Sequence, residues 1–239
     1  MKREIAMEFL PTLVRGILIK RYKRFLADVA LDSGEEVTAH CVNTGAMLGI
    51  KDPGTVVYLS HNPSPTRKLA YTYEMAAVEG TLVGTNIAHP NQLVHGALLA
   101  QKLVPFENYG TVKREAKIHE KTRLDFLLTE AGLPDCYVEV KNVHYKDGPV
   151  ARFPDSVTTR GAKHMAELLA LKNQGHRCAL VYVIQRDDCT GFGLASAIDP
   201  AYAAATLKAH QGGVELYAYS CHLTPNSITL AHLLPLDLS

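Results

Sequence analysis

Residues 123–143, RLDFLLTEAGLPDCYVEVKNV, set acids and a lysine among long apolar runs. A charge is costly to bury in such company, so Asp125, Glu139 and Lys141 limit the folds open to the chain. Strand side chains alternate faces. In CYVEVKNV, Tyr137, Glu139 and Lys141 therefore share one face, and Val138 and Val140 take the other, against a core. Asp125 precedes a turn, EAGLPD. If the flanking runs pair as a hairpin, Asp125 comes close to Glu139. Two carboxylates at one place repel, and one keeps its proton unless something positive stands between them. Relief of that repulsion would leave a metal-free Glu139→Gln protein equally stable or slightly more so.

A divalent cation is one such positive group. Mg²⁺, or Mn²⁺ in its place, suits carboxylate, carbonyl and water oxygens. It would polarise a phosphodiester and help deprotonate an attacking water, while Lys141 steadies the water or the phosphate. The bland alternative for Glu139 and Lys141 is an ion pair on a solvated sheet face. Glu-x-Lys also recurs at 115–117, where Glu115 lacks an acid one hairpin upstream. The full pattern is an acid, a turn, an acid-x-lysine in an apolar strand, then a helix. That is the arrangement of the PD-(D/E)xK nuclease fold.

The rest of the chain divides in two. At about 150 residues per domain, 239 residues allow one to two domains. Residues 1–82 read as short strands with Gly and Pro turns, a small barrel or sandwich. GILIKRYKRFLADVALDSGEEVTAHCVN gives two strand-like runs joined by DSG, and GTVVYLS and KLAYTYEMAAVEG follow. Residues 83–239 alternate helices and strands as a mixed α/β domain. HPNQLVHGALLAQKLV is a helix, followed by three strands. SVTTRGAKHMAELLALKNQG is the clearest helix, with an apolar stripe Ala162, Met165, Ala166 and Leu169. Arg160, Lys163, His164 and Glu167 form a polar stripe beside it. RCALVYVIQR is a buried strand by its continuous apolar run. DPAYAAATLKAHQGG is a last helix and VELYAYSCHL a last strand.

Several classes are disfavoured. Cys41, Cys136, Cys178, Cys189 and Cys221 are scattered, with no CxxC pair, against a zinc knuckle or disulfide framework. No apolar run reaches the ~18 residues that span a bilayer. Glu4 and Glu8 interrupt any leader-like core, so the expected location is the cytoplasm. A net charge of +1 leaves nucleic acid open, because distribution matters more than the sum. The cations are uneven. IKRYKRF carries Lys20, Arg21, Lys23 and Arg24 around Tyr22, and on a strand Lys20, Tyr22 and Arg24 would face one way and Arg21, Lys23 and Phe25 the other. Cations beside rings suit a nucleic-acid surface, and Arg67 and Lys68 in a loop would extend it. The alternative is an edge strand kept soluble by its charges. Asn43, Thr44 and Gly45 read first as a turn, with a ligand loop as the minority alternative.

The successive blocks LIKRYKRFLADV, HCVNTGAMLG, RKLAYTYE, TRLDFLL, YVEVKNV, FPDSVTTRGAKHMAEL and IDPAYA resemble those of the sugar fermentation stimulation protein A family, in order and over about residues 8–219. The resemblance implies an N-terminal OB-like β-barrel followed by a PD-(D/E)xK restriction-endonuclease-like α/β domain. It implies DNA binding with little sequence preference and a link to sugar, especially maltose, utilisation genes. It places Asp125, Glu139 and Lys141 at the metal and catalytic cluster, with Glu115 as a possible further acid. Arg160, Lys163 and His164 join the expected DNA contacts. The chain departs from the family at IHEKTRLD, whose extra charges alter the turn before Asp125. Three readings follow: a metal-dependent nuclease, a DNA-binding regulator on a catalytically silent nuclease scaffold, and an enzyme of a small phosphorylated or sugar ligand. No P-loop or GxGxxG turn supports the third.

Overall fold

In the computed structural model, residues 6–120 and 122–238 are described. Glu4, and Lys121 in the IHEKTRLD turn, lie outside them. A short first strand, β1 (Ala6–Glu8), is followed by β2 (Val14–Tyr22), β3 (Leu26–Leu31), β4 (Glu36–His40), β5 (Val56–His61), β6 (Tyr71–Val78) and β7 (Thr81–Gly84). The sheet runs β4-β3-β2-β5-β6-β7, and β4 also pairs with β6, which closes a five-stranded barrel. Leu18, Val29, Val57, Leu59, Tyr73 and Met47 fill it.

Two details differ from the sequence reading. The first long run breaks into β2 and β3 at a hairpin, where Lys23 and Arg24 take φ of 48° and 66°. Left-handed residues reverse a chain with the twist a hairpin favours. Lys23, Arg24 and Phe25 therefore sit at a turn and do not alternate along a strand. The second is β7, hidden in sequence because Glu79 and Gly80 (φ 53° and 81°) turn β6 back with no loop composition to announce it.

The second half contains α1 (His89–Leu99), β8 (Thr111–His119), β9 (Thr122–Thr129), β10 (Cys136–Val143), β11 (Lys146–Asp147), β12 (Val150–Phe153), α2 (Thr159–Asn173), β13 (Arg177–Ile184), β14 (Gly191–Leu194), α3 (Pro200–Gln211), β15 (Glu215–Thr224), β16 (Ser227–Leu233) and β17 (Leu236–Asp237). The main sheet runs β1-β16-β15-β13-β10-β9-β8, with β10, β13 and β15 parallel at its centre. A smaller sheet runs β11-β12-β14-β17. Leu93, Val94 and Ala97 of α1 cover one face of the main sheet. Met165 and Leu168 of α2 and Tyr202 of α3 cover the other. Covering on both faces explains why β13 is apolar from Cys178 to Ile184. Thr158 caps α2 by accepting the Gly161 N–H, and Asp199 caps α3 by accepting that of Tyr202. No helix among the described residues is long and apolar enough to cross a membrane.

The buried stripe of α2 is Gly161, His164, Met165, Leu168 and Leu171, and Ala166 is exposed. The stripe expected from sequence is thus rotated. Sequence ranks His164 as polar and Ala166 as apolar, but the helix turns His164 inward, where a carboxylate receives it.

The two halves are pinned at Asp155, whose Oδ2 accepts the Met47 N–H at 2.8 Å and lies 3.4 Å from His144 Nε2. Burial pushes the Asp155 pKa up, but His144, the Met47 N–H and Ser156 outweigh it and hold it below the usual value. A depressed folded pKa adds stability above about pH 4 that is lost as pH falls through the folded value. Asp155→Ala should therefore cost about 1–3 kcal/mol at neutral pH and flatten the acid limb of the stability curve. Thermal melts across pH check both; an unchanged acid limb would refute the assignment.

Candidate active site

β9 and β10 pair from Leu128–Cys136 to Phe126–Val138 and then part. Asp125 sits at the parting. Its Oδ2 takes the Val140 N–H at 2.7 Å, a backbone donor the ladder no longer satisfies. Its Oδ1 accepts from Asn91 Nδ2 at 2.8 Å, from the start of α1. Val138 and Val140 pack on the α1 side, as the alternation predicted, and Glu139 turns the opposite way, toward α2. Glu139 is 3% exposed. Its Oε1 accepts from Lys141 Nζ at 2.5 Å and is hydrogen-bonded by His164 Nδ1. Its Oε2 is buried with no hydrogen-bond partner. Arg160 Nε donates to His164 Nε2 at 3.4 Å, which selects the imidazole tautomer with its proton on Nδ1, toward Glu139.

The two carboxylates are driven apart in acidity. Burial, then the nearby Glu139 charge, push Asp125 up to about 6. Burial also raises Glu139, but His164 and Lys141 together outweigh it and leave the group below its ordinary value. The carboxylate that takes up a proton first as pH falls is thus Asp125. Both acids line a pocket of about 380 Å³ with Lys141, Asn91, Asn43 and Arg160.

The other predicted residues divide. Lys20, Arg21, Tyr22, Lys23 and Arg24 line a second cavity, of about 800 Å³, in the barrel. Arg21 Nη2, however, donates to the carbonyls of Arg24, Asn43 and Gly45, so it braces the hairpin and the 41–50 loop. Arg67 and Lys68 line a separate cavity with Phe25, Leu26 and His40, and Arg67 donates to Thr72. Lys163 is exposed on α2. His164 faces Glu139. Glu115 lies between the Arg114–Phe126 and Ala116–Leu124 pairs of β8 and β9, level with Asp125, yet it is exposed, takes a φ of 51° and is not among the residues lining the pocket. Sequence reasoning missed Asn91, and it missed that His164 belongs to the carboxylates. HPNQ marks Asn91 only as a helix start, and nothing in its spacing points 34 residues ahead to Asp125.

A closed barrel followed by a mixed α/β sheet with an acid, acid, lysine cluster at its splayed centre defines an OB domain joined to an RE-type domain. Residues 19–85 match the SfsA N-terminal OB domain, and residues 88–227 match the sugar fermentation stimulation protein RE domain. The chain belongs to the sugar fermentation stimulation protein (SfsA) family. It is 49% identical over 233 residues to the sugar fermentation stimulation protein homolog of Paramagnetospirillum magneticum, covering 98% of this chain and 99% of that one. It is 48% identical to the homolog of Rhodospirillum centenum, covering 97% and 100%. The solved structure of Pyrococcus furiosus SfsA in complex with Ca²⁺ has the same fold, with a TM-score of 0.88 over 98% of this chain and 99% of that one, at 24% identity.

Proposed function

We propose that this protein binds DNA with little sequence preference and hydrolyses phosphodiester bonds at Asp125, Glu139 and Lys141 with Mg²⁺ or Mn²⁺. The observation that carries the reading is the buried, unpartnered Glu139 Oε2 in the pocket that Asp125 shares. An acceptor left bare at such depth is costly unless something positive meets it. Among the described residues no group of three or more His, Cys, Asp or Glu side chains is arranged to hold a metal. A Mg²⁺ site needs only one or two carboxylates, because the ion keeps several waters and takes the rest from substrate phosphate. The donor set therefore fits. Pyrococcus furiosus SfsA in complex with Ca²⁺ adds that this fold accepts a hard divalent cation. When bound, the ion would polarise the phosphodiester and acidify a water.

The chain's own groups do the rest. Asp125 and Glu139 hold the ion. Lys141, whose side chain is 14% exposed, donates to a phosphate oxygen or the attacking water. Arg160 at the pocket wall attracts the backbone. Work on DNA would put the protein in the cytoplasm, and the family name supports a part in the stimulation of sugar fermentation.

One observation favours a second reading, a regulator with a silent site. Lys141 already pairs with the Glu139 charge, and His164 hydrogen-bonds the same oxygen, without an ion. Incubation with plasmid and single-stranded DNA, with Mg²⁺ or Mn²⁺ and with EDTA, separates the two. Cleavage that EDTA abolishes supports the enzyme. Binding without cleavage under every condition supports the regulator. His164→Leu should weaken Mn²⁺ binding by about 10–100-fold in calorimetric titration, since a partner that orients a ligating carboxylate is worth that much. Unchanged affinity would reduce His164 to packing.

A further inference from the structure

We propose that the barrel cavity and the carboxylate pocket are successive stretches of one track for a single DNA strand, which crosses between them at Ser156. The inference rests on the phosphodiester reading of the pocket and adds the form of the substrate. Ser156 lines both cavities. The barrel's 41–50 loop does the same from the other side: Asn43 lines the carboxylate pocket, while Thr44, Gly45 and Ala46 line the barrel cavity. That loop is fixed at two points. Arg21 holds the Asn43 and Gly45 carbonyls at 2.8 and 3.1 Å, and Asp155 takes the Met47 N–H at 2.8 Å. Gly45 passes close enough that a Cβ there would lie 2.9 Å from Asn43 Oδ1 and 3.2 Å from both Asp155 oxygens. The crossing point is thus built of tightly fitted groups from both halves of the molecule.

The chemistry along the track selects the occupant. The barrel cavity presents Lys20, Arg21, Lys23, Arg24 and Lys51 against one acid, Asp52. Lys23, Arg24 and Lys51 form no ion pair among the described residues, so they are available to phosphates. The Tyr22 ring, with Lys20 Nζ 5.2 Å from its centroid, offers a face on which a base can stack. Cations tracking a backbone beside an aromatic ring, here the half-buried Tyr22, are the features that bind single strands without regard to sequence. Farther along, Glu139 lies at the bottom of a pocket walled by Asn43 of the barrel, Pro90 of α1 and the 153–156 segment. A single strand can thread between walls on three sides; a duplex, held at full width by pairing, needs an open groove.

The test is fluorescence anisotropy with the full chain in EDTA. Labelled oligothymidylates of about 4 to about 16 nucleotides span the range of OB site sizes, and duplexes of equal length serve as competitors. Affinity for single strands should rise with length until both cavities are filled. Ser156→Trp, which plugs the crossing, should shrink the ratio of long- to short-oligomer affinity by about tenfold or more. Ser156→Ala leaves the crossing open and should keep the ratio, with circular dichroism melts confirming that both variants fold. Duplex binding as tight as single-strand binding, or an unchanged ratio in Ser156→Trp, overturns the track and leaves the phosphodiester reading standing. Oligouridylates bound more tightly than oligothymidylates overturn the assignment to DNA. Absence of all nucleic-acid binding overturns both readings.

Discussion

In EDTA at about pH 7.5, the Asp125→Asn protein melts at a higher temperature than the wild type. Burial and the Glu139 charge raise the folded pKa of Asp125 to about 6. A carboxyl whose pKa is higher in the folded state stabilises the fold while protonated, and loses that contribution as pH rises through the folded value. Between about pH 4 and about pH 6, wild-type stability should therefore fall because of this group, by about 1–3 kcal/mol. Asparagine carries no charge to penalise. Its carbonyl can accept the Val140 N–H, and Asn91 can turn its amide over to present an oxygen to the new NH₂. The variant should melt about 2–10 °C higher above pH 6 and match the wild type near pH 4. With Mn²⁺ the order should reverse, because only the wild type gains from binding an ion in the folded state alone. A variant that melts lower at both pH values would refute the raised pKa.

Glu139→Gln should act with the opposite sign. The sequence argument expects a metal-free protein equally stable or slightly more so, because two acids repel. The structure assigns that repulsion to Asp125. The Glu139 charge is compensated by Lys141 and His164, and its pKa lies below the ordinary value. Removing the charge leaves two donors facing a weaker acceptor in a buried site, and should cost about 1–3 kcal/mol in EDTA. It should also abolish the Mn²⁺-induced rise in melting temperature. Cleavage should fall by more than about a hundredfold, since even an outer partner of a metal ligand costs up to that. Lys141→Ala should instead keep Mn²⁺ binding and lose cleavage. Calorimetry and melts on both variants decide the matter. A Glu139→Gln protein that still takes up Mn²⁺ would remove Glu139 from the ion.

Much of this site was legible in sequence, for a definite reason. A charge inside an apolar strand has few tolerable explanations, so CYVEVKNV exposed the cluster and the strand period assigned its faces. The hairpin through EAGLPD brought Asp125 alongside. What stayed hidden was everything supplied from a distance. Asn91, Asn43 and Asp155 reach the pocket from three elements with no spacing in common. His164 was visible but assigned to DNA, because a histidine one helical turn from an arginine reads as a surface residue until a buried carboxylate is shown beneath it. In the fold, the Lys23–Arg24 hairpin escaped notice because its turn is made by left-handed Lys and Arg, and β7 because a left-handed Glu79 with a single Gly80 makes its turn, not the Gly-, Asn- or Pro-rich stretches that announce turns. Arg21 was counted with its charged neighbours, yet its partners are backbone carbonyls, which leave no mark in a sequence.

β1 has a consequence for the order in which the molecule is made. It is the first described strand to leave the ribosome, yet it belongs to the edge of the main sheet, paired with β16 near the other end of the chain. The barrel can close as soon as β6 has emerged. β1 must wait through the synthesis of both remaining helices of the sheet's far face before its partner exists. Until then β1 itself has no partner, and an unpaired strand edge invites pairing with another chain. The barrel is thus held as a loop between two strands of a single sheet, and the two halves cannot be separated by one cut without leaving that sheet short of a strand.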